Sequence, residues 1–259
     1  MTSVQPFIKM LVPINGLVLS ILAGLATGIG GLLITVFGRV NRKLLNFATG
    51  VASGMMLAVS FLSLLADALE IANVTVVTLG FSVGFLVLFL LDITIPHIHI
   101  TLKGEGIKVN KELFKRSMVI VLGVAMHNIP EGMAVALTYT HKETLGFLVA
   151  LTIGIHNIPE GVVTAIPLTE MGLNKLKVFL ITLLSGLTEP LFAFLTFLLF
   201  SEVQLTILGF NSAFAAAAMI YITIDELIPE AYKTGHEHSV SLGLIFGIIL
   251  SLYLLKILT

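Results

Sequence analysis

No cysteine occurs in the 259 residues, and Asp, Glu, Lys and Arg together make up only 11% of them. The first absence excludes disulfides, cysteine zinc clusters and thiol chemistry. The second excludes an ordinary water-soluble domain, whose surface carries far more charge. With 14 basic and 15 acidic residues the net charge is −1, so there is no basic surface for nucleic acid. What the chain has instead is apolar length: 57% of the residues are hydrophobic and the mean hydropathy is +1.06. Runs of about 20 apolar residues, enough for a helix to cross the hydrocarbon, recur from end to end.

Eight such segments lie near residues 13–37, 46–66, 73–94, 117–139, 145–168, 178–200, 206–228 and 240–258. They lack the short alternation of a membrane β-barrel, so the expected class is an all-α polytopic membrane protein, one transmembrane domain over 1–259. The first segment has no basic start and no cleavage site, and reads as a retained helix. Eight spans place both termini on one side. Arg39, Arg42, Lys43, Lys103, Lys108, Lys111, Lys115, Arg116, Lys175, Lys177 and Lys233 fall in alternate connections, against Lys9, Lys142 and Lys256 on the other side. The positive-inside bias makes the first set cytoplasmic and both termini extracytoplasmic. The connection over 95–116, with His97 and His99, is then a cytoplasmic loop.

A hexapeptide occurs twice, as His127-Asn128-Ile129-Pro130-Glu131-Gly132 and His156-Asn157-Ile158-Pro159-Glu160-Gly161, each near the middle of an apolar run. An ionisable residue there costs at least about 2.5 kcal/mol on insertion scales, so each copy needs something that offsets it. His and Glu at i and i+4 share one helix face, and Asn adds an amide oxygen. The prolines free the carbonyls of Met126 and Ile155 from helical partners. Because consecutive spans run in opposite directions, the two copies can meet as an inverted pair at mid-membrane. Mixed nitrogen and oxygen donors of this kind suit a borderline divalent ion. The plain alternative is polar glue between helices, with protonated glutamates.

Glu189, Asp225 and Glu226 also lie within spans, and no Lys or Arg matches their depth. Five acidic groups without basic partners need protons, water or cations. Ser63, Asp67 and Glu70 mark a candidate outer mouth. Asp225, Glu226 and Glu230, followed by His236 and His238, mark a candidate inner exit. Asp67 and Glu70 read equally well as solvated helix ends, and the histidines as loop residues. His141 and Asp92 read as interfacial. Gly24, Gly28, Gly30 and Gly31 in the first span allow close helix packing.

These residues together resemble the ZIP (Zrt/Irt-like protein) divalent metal transporters in their compact prokaryotic form. The resemblance rests on eight spans, the two HNIPEG copies, Glu189, and Asp225-Glu226 with Pro229-Glu230. It implies an inverted 3+2+3 pseudo-symmetric bundle around the fourth and fifth helices. It further implies a binuclear site, with His127, Glu131, His156 and Glu160 holding one metal. Asn128, Glu131, Asn157, Glu160 and Glu189 would hold the other. Some relatives carry Gln-Asp where this chain has His156-Asn157, which lowers the charge of the second position here. Many have a Pro-Glu pair where Ala66-Asp67 stands.

The expected function is therefore uptake of Zn²⁺, with Fe²⁺, Mn²⁺ and Cd²⁺ as further substrates, through the plasma membrane into the cytoplasm. No cofactor is expected. The expected partners are divalent ions and the lipid bilayer, with a homodimer as a further option and no nucleic acid. Two rivals belong to other classes. An intramembrane zinc hydrolase would want the HExxH order of residues, whereas here Glu itself occupies i+4. A proton-coupled carrier of small organic solutes would use the carboxylates as proton relays.

Overall fold

The computed structural model describes residues 13–38, 41–94, 111–200, 204–233 and 235–258, and His97 and His99 lie outside them. Among the described residues every regular element is helical. Eight helices run in the expected order. They are α1 (Ile14–Phe37), α2 (Arg42–Ile71), α3 (Val74–Thr94), α4 (Lys111–His141), α5 (Glu143–Glu170), α6 (Lys175–Phe200), α7 (Leu205–Leu227, continued by Ile228–Lys233) and α8 (Glu237–Leu258). Seven of them, α1 to α3 and α5 to α8, are long and apolar enough by composition to cross a membrane. Helix α4 is 31 residues long and carries His127, Asn128 and Glu131.

Some helices begin several residues earlier than hydropathy alone predicts. Helix α4 starts at Lys111, inside the segment read as loop, and α2 starts at Arg42, where Asn41 accepts the amide of Lys43 at 2.9 Å as a cap. Hydropathy marks the stretch that must face hydrocarbon, while Lys and Arg continue a helix past it at little cost in propensity. Pro130 and Pro159 lie within helices that continue through them. The real break is at Leu187, where α6 divides into Lys175–Gly186 and Thr188–Phe200.

Packing follows an inverted pattern. Helix α1 lies mainly on α5, and α6 on α4. Likewise α2 lies mainly on α8, and α7 on α3, with α4 against α5 at the centre. Exchanging α1 with α6, α2 with α7, α3 with α8 and α4 with α5 reproduces every one of these pairs, the symmetry that the resemblance implied. Glycines make the close approaches. A Cβ on Gly132 of α4 would run into the Glu189 carbonyl of α6, and one on Gly161 of α5 into the Thr27 carbonyl of α1. The same relation holds outside, where Gly243 and Gly247 of α8 meet carbonyls of α2 and Gly80 and Gly84 of α3 meet carbonyls of α7.

Helices α2 and α7 each loosen into a π-turn, at Ser60–Leu65 and Thr223–Leu227. Each turn opens on a hydroxyl that donates back to a buried methionine carbonyl, Ser60 to Met56 at 2.8 Å and Thr223 to Met219 at 2.7 Å. Such turns re-aim the residues that follow them and occur often at functional sites. Here they precede Asp67 and contain Asp225 and Glu226.

Candidate metal-ion site

The centre of the bundle is where α4 and α5 cross their repeated motifs. His127, Asn128, Glu131, His156, Asn157, Glu160 and Glu189 are all buried. Ligand atoms of Glu131, His156 and Glu160 lie within 4.8 Å of one another, the only such group of three among the described residues. His156 Nε2 is 3.0 Å from Glu131 Oε1. His127, one turn earlier on α4, turns its Nε2 toward Glu226 of α7 at 3.6 Å. The structure thus brings the two motif glutamates together with one motif histidine, and sets the other histidine beside Glu226 of α7.

Beside this group lies a second polar layer. Asn157 Nδ2 donates to the Ala23 carbonyl at 3.0 Å and to Glu189 Oε2 at 2.9 Å, while Ser20 Oγ donates to Glu189 Oε1 at 3.0 Å. Asn128 Nδ2 donates to the Ser185 carbonyl at 2.7 Å. The two asparagines therefore act alike: each ties its central helix to a carbonyl of α1 or α6, and Ala23 and Ser185 are equivalent under the pseudo-symmetry. Ser20 is the residue that sequence reasoning missed. Its signal was one hydroxyl among three, with Thr27 and Thr35, in an apolar, glycine-rich helix, too common to stand out.

Several oxygens at the centre have no hydrogen-bond partner: Glu131 Oε2, both oxygens of Glu160, Asn128 Oδ1 and Asn157 Oδ1. Each buried unsatisfied polar atom costs about 1–3 kcal/mol, and folded proteins keep few of them. Five within one site, all of them acceptors, describe a cradle for a positive species. Two carboxylates carry −2 when ionised, which equals the charge of one divalent cation. An imidazole nitrogen beside them completes a donor set suited to zinc and neighbouring metals.

The outlying residues divide. Asp67 is buried and its Oδ1 is 2.5 Å from His141 Nδ1, so it is not a solvated helix end, and His141 is not a bystander. Ser63, one turn before Asp67, is buried with no partner for its hydroxyl, whereas Glu70 is exposed. On α7 Asp225 is exposed and Glu226 partly so, and the Glu230 side chain lies outside the described ones. His236 and His238 are exposed. Asp92 accepts from the Tyr221 hydroxyl at 2.9 Å, joining α3 to α7.

The sequence pattern of the family described as "ZIP Zinc transporter" matches residues 103–255. The chain belongs to the ZIP family. Its full-length relatives agree: "Zinc transporter ZupT" of Chlorobium phaeovibrioides is 35% identical over 247 residues, covering 89% of this chain and 93% of the relative. "Zinc transporter ZupT" of Akkermansia muciniphila is 36% identical over 254 residues, covering 90% and 93%. "Zinc transporter GufA" of Myxococcus xanthus is 34% identical over 250 residues, covering 92% and 97%. As a ZIP protein of eight helices, the chain is a multi-pass membrane protein and not an enzyme. The match over 103–255 contains both motifs, Glu189 and the inner acidic residues, so the central site lies inside the part that defines the family.

Proposed function

We propose that this chain carries divalent transition-metal ions, zinc foremost and also Fe²⁺, Mn²⁺ or Cd²⁺, across the plasma membrane into the cytoplasm. The observation that carries the reading is the convergence of Glu131, His156 and Glu160 within 4.8 Å at the centre of the bundle. An ion held there by two carboxylates forms a neutral complex, and neutrality is what lowers the cost of a dication in a medium of low dielectric. His127 stands one turn away, beside Glu226, and offers the next nitrogen toward the inner side. The ion is substrate, so it must also leave. Asn128, Asn157 and Glu189 form a second coordinating layer in this proposal, available once the asparagine oxygens face an ion. Ser63, Asp67 and Glu70 belong to the outer mouth, and Asp225, Glu226, Glu230, His236 and His238 to the inner exit.

The Lys and Arg bias places both termini outside the cytoplasm. Helices α3 and α8 turn apolar side chains such as Phe85, Leu86, Ile245 and Ile249 outward, a surface suited to lipid and, in part, to a second copy in a homodimer. Neither hydrolysis nor organic-solute flux finds support in the family, which consists of transporters.

The test is Zn²⁺ flux into proteoliposomes holding a fluorescent indicator, with empty vesicles as the leak control. Saturable flux in the wild type, retained in Lys142→Ala and abolished in Glu131→Ala and in Glu160→Ala, is the expected result. A correctly folded wild type that moves none of the four metals at any proton gradient would overturn the proposal.

A further inference from the structure

The contact between Asp67 and His141 lies outside the central site and is only half used. Asp67 is 5% exposed, and its Oδ1 meets His141 Nδ1 at 2.5 Å while its Oδ2 has no partner. Ser63 Oγ, one turn earlier on α2, is also buried without a partner. The His141 side chain is 25% exposed while that of Asp67 is 4% exposed, and a purely structural contact to a carboxylate this buried would satisfy both of its oxygens, because an orphaned one forfeits much of what the contact gains. A carboxylate with a spare oxygen, an imidazole and an idle hydroxyl are instead the beginnings of a cation site.

Two further features fit. On α4, His127, Glu131, Ala134, Thr138 and His141 follow one another at spacings of four and three, so they share a face. Glu131 and His141 are ten residues apart on it, or about 15 Å of helix rise. The stripe therefore runs from the central carboxylates to the outer end of the helix. The other feature is a likeness between the two ends of the stripe. Helix α4 meets a carboxylate of α7 through His127 and Glu226 and a carboxylate of α2 through His141 and Asp67. Each end of the stripe thus sets a histidine beside a carboxylate of a neighbouring helix.

We propose that Asp67 and His141, assisted by Ser63, form a separate binding site for a divalent transition-metal ion at the outer end of α4, where the ion rests before it reaches the central carboxylates. Ligation replaces the contact within the pair by one bond from each side chain to the ion. Zinc bonds to nitrogen and oxygen are about 2.0–2.2 Å long, so ligation separates the two side chains only slightly. Lys142 and Glu70 are the other charged groups that act on Asp67, and of these Glu70 helps to draw a cation in. The inference rests on the transport reading for its place in a sequence of events, but the site itself can be tested without transport.

The experiment is equilibrium binding of Zn²⁺ and Cd²⁺ to the purified full chain with the central site disabled by Glu131→Ala and Glu160→Ala, its fold checked by thermal melting. One ion per chain is expected to remain bound, with affinity falling at least about tenfold on adding His141→Ala or Asp67→Asn, as for loss of a ligand-shell partner. A folded, centrally disabled chain that binds no ion, or binds it equally well with both additions, overturns the site. As a second readout with the centre intact, His141→Ala is expected to raise KM for Zn²⁺ about tenfold and leave kcat nearly unchanged. A lowered kcat with unchanged KM would mark a merely structural contact and sink the proposal. A wild type that binds at Asp67 and His141 but transports nothing would instead defeat the transport reading and spare the site.

Discussion

The centre of the bundle is a place where removing charge should cost the fold little. Both oxygens of Glu160 are buried and without partners, so Glu160→Gln exchanges a carboxylate for a neutral group in a site that gives it no hydrogen bonds. We expect the variant to melt at or above the wild-type temperature in detergent without metal, while zinc flux is lost. A fall of several degrees would contradict this account of Glu160. Asn157 should behave in the opposite way, because its amide serves the Ala23 carbonyl and Glu189 together. Asn157→Ala removes that donor from the Ala23 carbonyl and leaves Glu189 with Ser20 alone, at about 1–3 kcal/mol for each lost partner. Asn157→Asp sets a second carboxylate beside Glu189, and should lower metal-free stability but enlarge the stabilisation that added Zn²⁺ or Mn²⁺ gives. Melting curves with and without metal check all three. The motif residues were legible in the sequence because polar groups stand out in an apolar run. Their partners were not. Ser20 reaches Glu189, and Asp67 reaches His141, over chain separations that no local pattern encodes.

At the scale of elements, helix contact depends on glycines whose role can be tested one at a time. Gly132 and Gly161 sit against carbonyls of α6 and α1, so a methyl group at either must push two backbones apart. Gly132→Ala and Gly161→Ala should each destabilise by about 1–3 kcal/mol, as overpacked substitutions do, and should impair flux. Gly154 is the internal control. A Cβ there would meet Ala23 at ordinary distances of 3.5 and 3.8 Å, and Gly154→Ala should leave melting and flux intact. The number and order of the helices were readable from hydropathy, with ends displaced by several residues where charged helix formers extend them. The π-turns were not readable. A π-turn is a matter of register, and Ser60-Phe61-Leu62-Ser63 contains no residue that announces one. The break at Leu187 falls just before Thr188-Glu189-Pro190, where the proline is visible but the position of the break is not.

For the whole molecule, the proposed orientation in the membrane rests on charge on the connections, and the absence of native cysteine makes it simple to measure. Lys142→Cys should react with an impermeant thiol reagent added to intact cells, and Lys175→Cys only after permeabilisation. The reverse pattern would invert the assignment. Which helices touch was beyond the reach of composition and periodicity: the paired motifs imply that α4 meets α5, but nothing local says that α2 lies on α8 or α7 on α3. That pairing also bears on how the protein is made. Gly50 and Gly54 of α2 are fitted to the backbone of α8, which leaves the ribosome well after it, and α1 must wait for α5. The early helices therefore enter the bilayer long before their partners exist, and closure of the bundle is delayed until α8 has been made. A nascent chain stopped before Glu237 would hold an α2 whose glycine face has found nothing to pack on, and membrane quality control should remove it quickly.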